Sequence, residues 1–171
     1  MGTGRLNSPY KSSTVKWDPF LATFMQARGN EGVTAAGHNG YVENVVAYAN
    51  KFGKAKFVAA IGLDESNDNP KDRDTDADHA LTASVNMPVG PVEMALAYVN
   101  TAGIGTGVDG TSDIAAIKLG AKYKTGPLTL AGQYETVEVG GNAAFDQIFF
   151  TGSYKVSANT FSLSYGTGIP D

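Results

Sequence analysis

Along residues 79–100, HALTASVNMPVGPVEMALAYVN, apolar and polar positions alternate twice. Leu81, Ala83, Val85 and Met87 share one side, and Ala80, Thr82, Ser84 and Asn86 the other. After Pro88-Val89-Gly90-Pro91 the alternation resumes, with Val92, Met94, Leu96 and Tyr98 opposite Glu93, Ala95, Ala97 and Val99. A period of two broken by Pro and Gly reads as two strands joined by a tight turn. The same texture predicts strands at about 43–51, 55–64, 79–88, 92–101, 113–125, 128–138, 145–157 and 159–167. Each is roughly nine to thirteen residues long, about what a tilted membrane strand needs and longer than the ~5–6 residues usual in soluble sheets. Nothing from residue 41 onward carries a 3.6-residue period, so the chain is all-β.

The connections sharpen this reading. Those around Asn50-Lys51-Phe52-Gly53-Lys54, Met87 to Pro91, Lys124-Thr125-Gly126-Pro127 and Val156-Ser157-Ala158-Asn159 are short, whereas 64–78, 101–112 and 138–144 read as longer polar loops. Short and long links alternate, which gathers turns at one end of the sheet and loops at the other. An antiparallel transmembrane β-barrel has that layout; a soluble lipocalin-like barrel shows it more weakly.

Which face is oily is plain, but where it points is not. Ile117, Leu119 and Tyr123 alternate with Lys118, Gly120 and Lys122, and Ile148, Phe150 and Tyr154 with Gln147, Thr151 and Lys155. A soluble barrel with an apolar core and a membrane barrel with an apolar exterior share this alternation. The aromatics favour the second: Tyr48, Tyr98, Tyr123, Tyr134, Tyr154 and Tyr165 fall on the oily face, several toward strand ends, as interfacial girdles require. Tyrosines of an ordinary core, with the hydroxyl reaching the rim, are the alternative. The oily face is therefore expected to look outward.

Composition narrows the partners. The 171 residues suffice for one domain with a sizeable core. They include 21 Gly and 8 Tyr and no Cys, which removes disulfides and thiolate metal sites. A net charge of −4 argues against nucleic acid. There is no apolar run long enough for a membrane-spanning helix. The opening Met1-Gly2-Thr3-Gly4-Arg5 has no apolar segment of a signal peptide, so an exported protein is expected here in mature or truncated form.

Catalytic chemistry finds little support, and neither an enzyme nor a cofactor is expected. His38 and His79 lie in or beside loops, and Ser164 lacks a nucleophile elbow. Residues 64–78 hold seven carboxylates, but an EF-hand begun at Asp72 places Ala77 at its glycine and Ala83 at its glutamate. Asp72, Asp74 and Asp76 remain only weak divalent-ion candidates in what reads as a solvated loop. Gly103-Ile104-Gly105-Thr106-Gly107 lacks the helix and Lys-Ser/Thr of a phosphate loop.

Residues 1–40 differ from the rest: they begin like the end of a strand and continue without clear periodicity. Gly4-Arg5-Leu6-Asn7-Ser8-Pro9-Tyr10-Lys11, Trp17-Asp18-Pro19-Phe20 and Asn44-Val45-Val46-Ala47-Tyr48 resemble the trimeric general porins of proteobacteria, closest to the neisserial and β-proteobacterial branch. The resemblance rests on motifs over about residues 4–52 and on strand texture beyond. It implies part of a 16-stranded outer-membrane barrel, assembled as a homotrimer among lipid and lipopolysaccharide and passing small hydrophilic solutes by diffusion. On this reading 11–42 is the inserted constriction loop and 43–171 supplies about eight strands, near the sixth to the thirteenth of an internal portion. Arg5 matches the wall arginine that closes the "GR" strand, and Asp18 and Glu31 are the loop acids available to face it. By alternation Lys118, Lys122 and Lys155 are further lumen candidates. Gly40-Tyr41-Val42-Glu43 stands where the family commonly has an arginine, which argues against a strong anion preference. For Asp18, capping before Pro19 is an equal alternative. The rival folds are a closed eight-stranded barrel with a structural or adhesive role and a soluble carrier; the latter would have to bury lysines in an oily cavity.

Overall fold

Nine antiparallel strands follow one another in chain order, each bonded only to its sequence neighbours: β1 (Gly2–Asn7), β2 (Tyr41–Phe52), β3 (Ala55–Leu63), β4 (His79–Val89), β5 (Val92–Ala102), β6 (Ile114–Thr125), β7 (Leu128–Val139), β8 (Asn142–Val156) and β9 (Asn159–Pro170). The computed structural model describes residues 1–21, 23, 41–63, 79–102 and 114–170. Between β1 and β2 lie a helical turn, α1 (Pro9–Ser12), and a 3-10 turn at Val15–Trp17. The strands β1 and β9 are the two edges of the sheet and do not pair with each other. The rival reading, a closed eight-stranded barrel, is therefore not seen among the described residues, whereas the expected run of antiparallel barrel strands is.

Register settles the orientation of the faces, because cross-strand partners share a face. One row across β4 to β9 reads Ser84, Ala97, Lys118, Glu135, Gln147, Gly168. The adjacent row reads Val85, Leu96, Leu119, Tyr134, Ile148, Thr167. In the polar row Lys118 and Glu135 are 0% exposed and Gln147 1%, while in the oily row Leu96 and Leu119 are each 52% exposed and Tyr134 45%. That inverts the rule for a sheet in water. It is the arrangement of a sheet with lipid against its outer face and a polar interior. The oily face looks out, which does not favour a carrier with an apolar interior.

Tight two-residue turns join the strands at one end. In Gly90-Pro91 and Gly126-Pro127 the glycines have φ of 61° and 53°. A positive φ followed by proline's fixed negative φ matches a type II′ hairpin, whose twist suits the flanking strands. Ser157 takes the corresponding position in Ser157-Ala158 with φ 54°.

Two expectations need correction, on the link 138–144 and on the segment after β1. The link 138–144 is not a long loop: β7 and β8 continue to a turn at Gly140-Gly141, whose φ values of 59° and 78° a glycine pair adopts without strain. Residues 2–7, which read as the end of a strand, do form one and bring the total to the upper end of the eight to nine strands expected; β1 is held to β2 through a bulge between Gly4 and Leu6. The segment after β1 also has regular structure. Its signal was present in the sequence, since Ser8 Oγ accepts the Lys11 N–H at 3.0 Å and Pro9 occupies the first helical turn.

Candidate functional site

The polar face of the sheet is not bare. The segment that follows β1 turns inward and lies against β3 to β7, and small wall residues make room for it. Ala95, Ala97, Ala116, Gly120 and Ala131 leave a hollow on the inner face of β5, β6 and β7. Tyr10, 1% exposed, packs into its loop-side part against Ala97, Val99, Ile114, Ala116 and Val137. Trp17 fills the turn-side part against Ala95 and Ala131. Its ring covers Gly120 so closely that a Cβ there would stand 2.7 Å from a ring carbon. Two aromatic rings buried in one hollow give the segment a defined seat.

Hydrogen bonds set its height on the wall. The Tyr10 N–H donates to Thr82 Oγ1 at 3.1 Å, and Asn86 Nδ2 donates to the Ser13 carbonyl at 2.9 Å, both on β4. Thr14 Oγ1 donates to Gln133 Oε1 at 2.7 Å. Gln133 in turn donates through Nε2 to Glu135 Oε1. Glu135 pairs with Lys118 at 3.8 Å, and the Lys118 ammonium lies 3.9 Å from the centroid of the Tyr10 ring. The polar chain thus leaves the segment at Thr14, crosses β7 and β6, and returns to it at Tyr10. Isolated, a buried lysine would be costly; here a carboxylate and a ring face compensate the charge.

The residues singled out in the sequence take different places. Lys118 and Lys122 both face inward. Lys118 is covered by Tyr10, whereas Lys122 is partly exposed, ion-paired with Glu93 and 5.5 Å from the Trp17 ring centroid. Lys155, exposed, also belongs to the inner row of β8. Asp18 is 4% exposed and turned into the segment, where its Oδ1 accepts the Phe20 N–H at 2.9 Å. That is the capping geometry, and Asp18 forms no ion pair among the described residues. Arg5 stands exposed at the β1 bulge and is not brought to Asp18. On the 3-10 turn Lys16 is exposed, so the charge this part of the segment presents away from the wall is positive. Glu31, Asp72, Asp74, Asp76 and His38 lie outside the described residues. The tyrosines Tyr48, Tyr98, Tyr123, Tyr134, Tyr154 and Tyr165 are all exposed on the outward face. Tyr123 and Tyr154 sit next to the turns, and the other four nearer mid-strand.

Tyr10, Thr14, Trp17, Gln133 and Glu135, which build the seat, were not singled out from the sequence. Two signals pointed to them. The polar faces of β5 and β6 are rich in Ala and Gly where a water-lined wall has no need of small residues. The segment also holds the chain's single Trp within a run otherwise rich in polar residues.

Comparison with known proteins agrees with this architecture. A family model described as Gram-negative porin matches residues 3–169. Among solved structures, the anion-selective porin from Comamonas acidovorans superposes with a TM-score of 0.74 at 23% identity, over 97% of this chain and 52% of that one. The chain therefore spans about half the length of that porin, and the likeness speaks to the fold. No curated protein matches the chain.

Proposed function

This chain belongs to the Gram-negative porin family of the outer membrane, and on that premise we propose that it forms the wall and the constricting segment of a water-filled channel for passive diffusion of small hydrophilic solutes. One observation carries the reading: an ordered segment is seated on the inner, polar face of a sheet whose outer face is oily. A segment so placed takes up lumen and narrows the path without blocking the strands' contact with lipid. The reading is of a channel rather than an enzyme. Solutes are sorted by bore and by the charges that line it. Arg5 and Lys16 are the exposed charges we assign to that lining at the constriction, with Glu31 the acid expected to face them, and Lys155 lines the wall nearer the turn end. Lys118 and Lys122 serve instead to hold the segment. Assembly as a homotrimer, with lipopolysaccharide around the loop end, completes the proposal.

The test is single-channel conductance of the full-length protein in planar bilayers, paired with Gly120→Val. The added side chain lifts Trp17 from the wall, so its emission shifts to the red while the segment moves into the lumen and unit conductance falls. Wild-type protein that inserts without conducting overturns the channel. A folded G120V channel with red-shifted Trp17 and unchanged conductance would sink the constricting role of the segment.

A further inference from the structure

The basic residues of the wall are unevenly placed along the strands. Within four residues of the turns Gly53-Lys54, Gly90-Pro91, Gly126-Pro127 and Ser157-Ala158 stand six lysines, Lys51, Lys54, Lys56, Lys122, Lys124 and Lys155, and a single carboxylate, Glu93. Register places five of the six on the inner face. Lys51 and Lys56 continue the row of Val45 and Ala60, Lys124 that of Lys118 and Lys122, and Lys155 that of Phe149 and Thr151. Glu93 is already held by Lys122. Lys51, Lys56, Lys124 and Lys155 are exposed, and none of them has an ion-pair partner among the described residues.

One pairing shows that this is more than a solvated fringe. Lys51 and Lys56 are direct cross-strand partners on the same face. Like charges set opposite each other, with Cβ atoms about 5 Å apart, destabilise a hairpin. Neighbouring hairpins also contain inner positions at the same height filled by neutral residues, Thr129 and Thr160. Two exposed ammonium groups there repel each other, and an anion between them removes the repulsion.

We propose that the inner rim at the turn end is an anion-collecting vestibule, in which Lys51, Lys56, Lys124 and Lys155 concentrate small inorganic and carboxylate anions at the mouth of the channel. This rests on the channel reading above and adds a second filter to it, apart from the constricting segment. Turns of such barrels face the periplasm, so the vestibule is the periplasmic mouth. A concave rim of one charge, with low-dielectric walls, raises the local concentration of the opposite ion by about tenfold or more at low salt. The field decays over about 10 Å at 0.1 M salt and about 3 Å at 1 M, so the selectivity it produces depends on ionic strength.

The experiment measures reversal potentials of the full-length protein in planar bilayers under potassium chloride gradients, at dilute and concentrated salt. In the wild type, chloride is favoured at dilute salt and the preference shrinks as salt rises. In Lys51→Gln/Lys56→Gln, checked for folding by heat-modifiable electrophoretic mobility, the chloride-to-potassium permeability ratio falls at least about twofold at 0.1 M and hardly at all at 1 M, as screening requires. A folded double variant with the wild-type ratio overturns the vestibule while leaving the channel intact. A wild-type preference that does not change between dilute and concentrated salt overturns it without any variant. Wild-type protein that does not conduct overturns the channel reading, and the vestibule with it.

Discussion

Lys118 and Glu135 carry the largest stake of any residues in this wall. Both are fully buried, Lys118 beneath the Tyr10 ring, and Glu135 also receives the Gln133 amide. Removing one charge of a buried pair strands the other, at a cost of about 3–5 kcal/mol, whereas replacing both by apolar groups is near neutral. Glu135→Gln is therefore expected to lower the unfolding free energy of the detergent-folded protein, read from urea titration, by that amount, and Lys118→Met/Glu135→Leu to recover most of it. Equal losses in the single and double variants would show that the pair does not hold the segment. Asp18 illustrates the opposite case. Its carboxylate, a natural partner for a wall arginine when read from sequence, is used locally on the Phe20 N–H, as short acidic side chains before proline often are.

Among the elements, the hairpins were legible because turn chemistry is local. Gly-Pro can satisfy only a turn whose first central φ is positive, and both Gly-Pro pairs sit in one. Ser157 breaks that rule, since an L residue in the left-handed region costs about 1–2 kcal/mol. Ser157→Gly is expected to raise stability by about 1 kcal/mol, after allowing for glycine's greater freedom in the unfolded chain. Urea titration with an unchanged slope checks it; no gain would mean that the serine is held by contacts outside its own turn. Gly140-Gly141 misled for a reason visible in hindsight. A polar stretch with two glycines looks like a loop, yet Gly-Gly is also the pair that closes the tightest hairpin. Asn44 belongs here too: its φ of 49°, tolerated by asparagine, lies beside the β1 bulge.

For the molecule as a whole, the exposed oily face makes a prediction that separates lipid from water. Leu119 lies mid-strand on β6 and is half exposed. On a water-facing surface Leu119→Arg would be nearly neutral, but facing the middle of a bilayer it costs about 2–4 kcal/mol. Folding into lipid vesicles, followed by heat-modifiable mobility, should show that loss. Unimpaired insertion would mean that this patch meets protein or water instead.

The sequence by itself determined the strands, their alternation and most of their turns, because side-chain period and turn chemistry act over a few residues. It also pointed to the family through the motifs around Arg5, Trp17 and Asn44. Alternation is symmetric, however, and does not say which face meets lipid. That was decided by the register that lines Lys118, Glu135 and Gln147 into one buried row. Only the tertiary structure brought Tyr10 and Trp17 onto a hollow built from alanines and a glycine far along the chain. Likewise, it alone gathered lysines from three hairpins onto one rim. Both depend on contacts between residues distant in sequence, where no local pattern records who will meet whom.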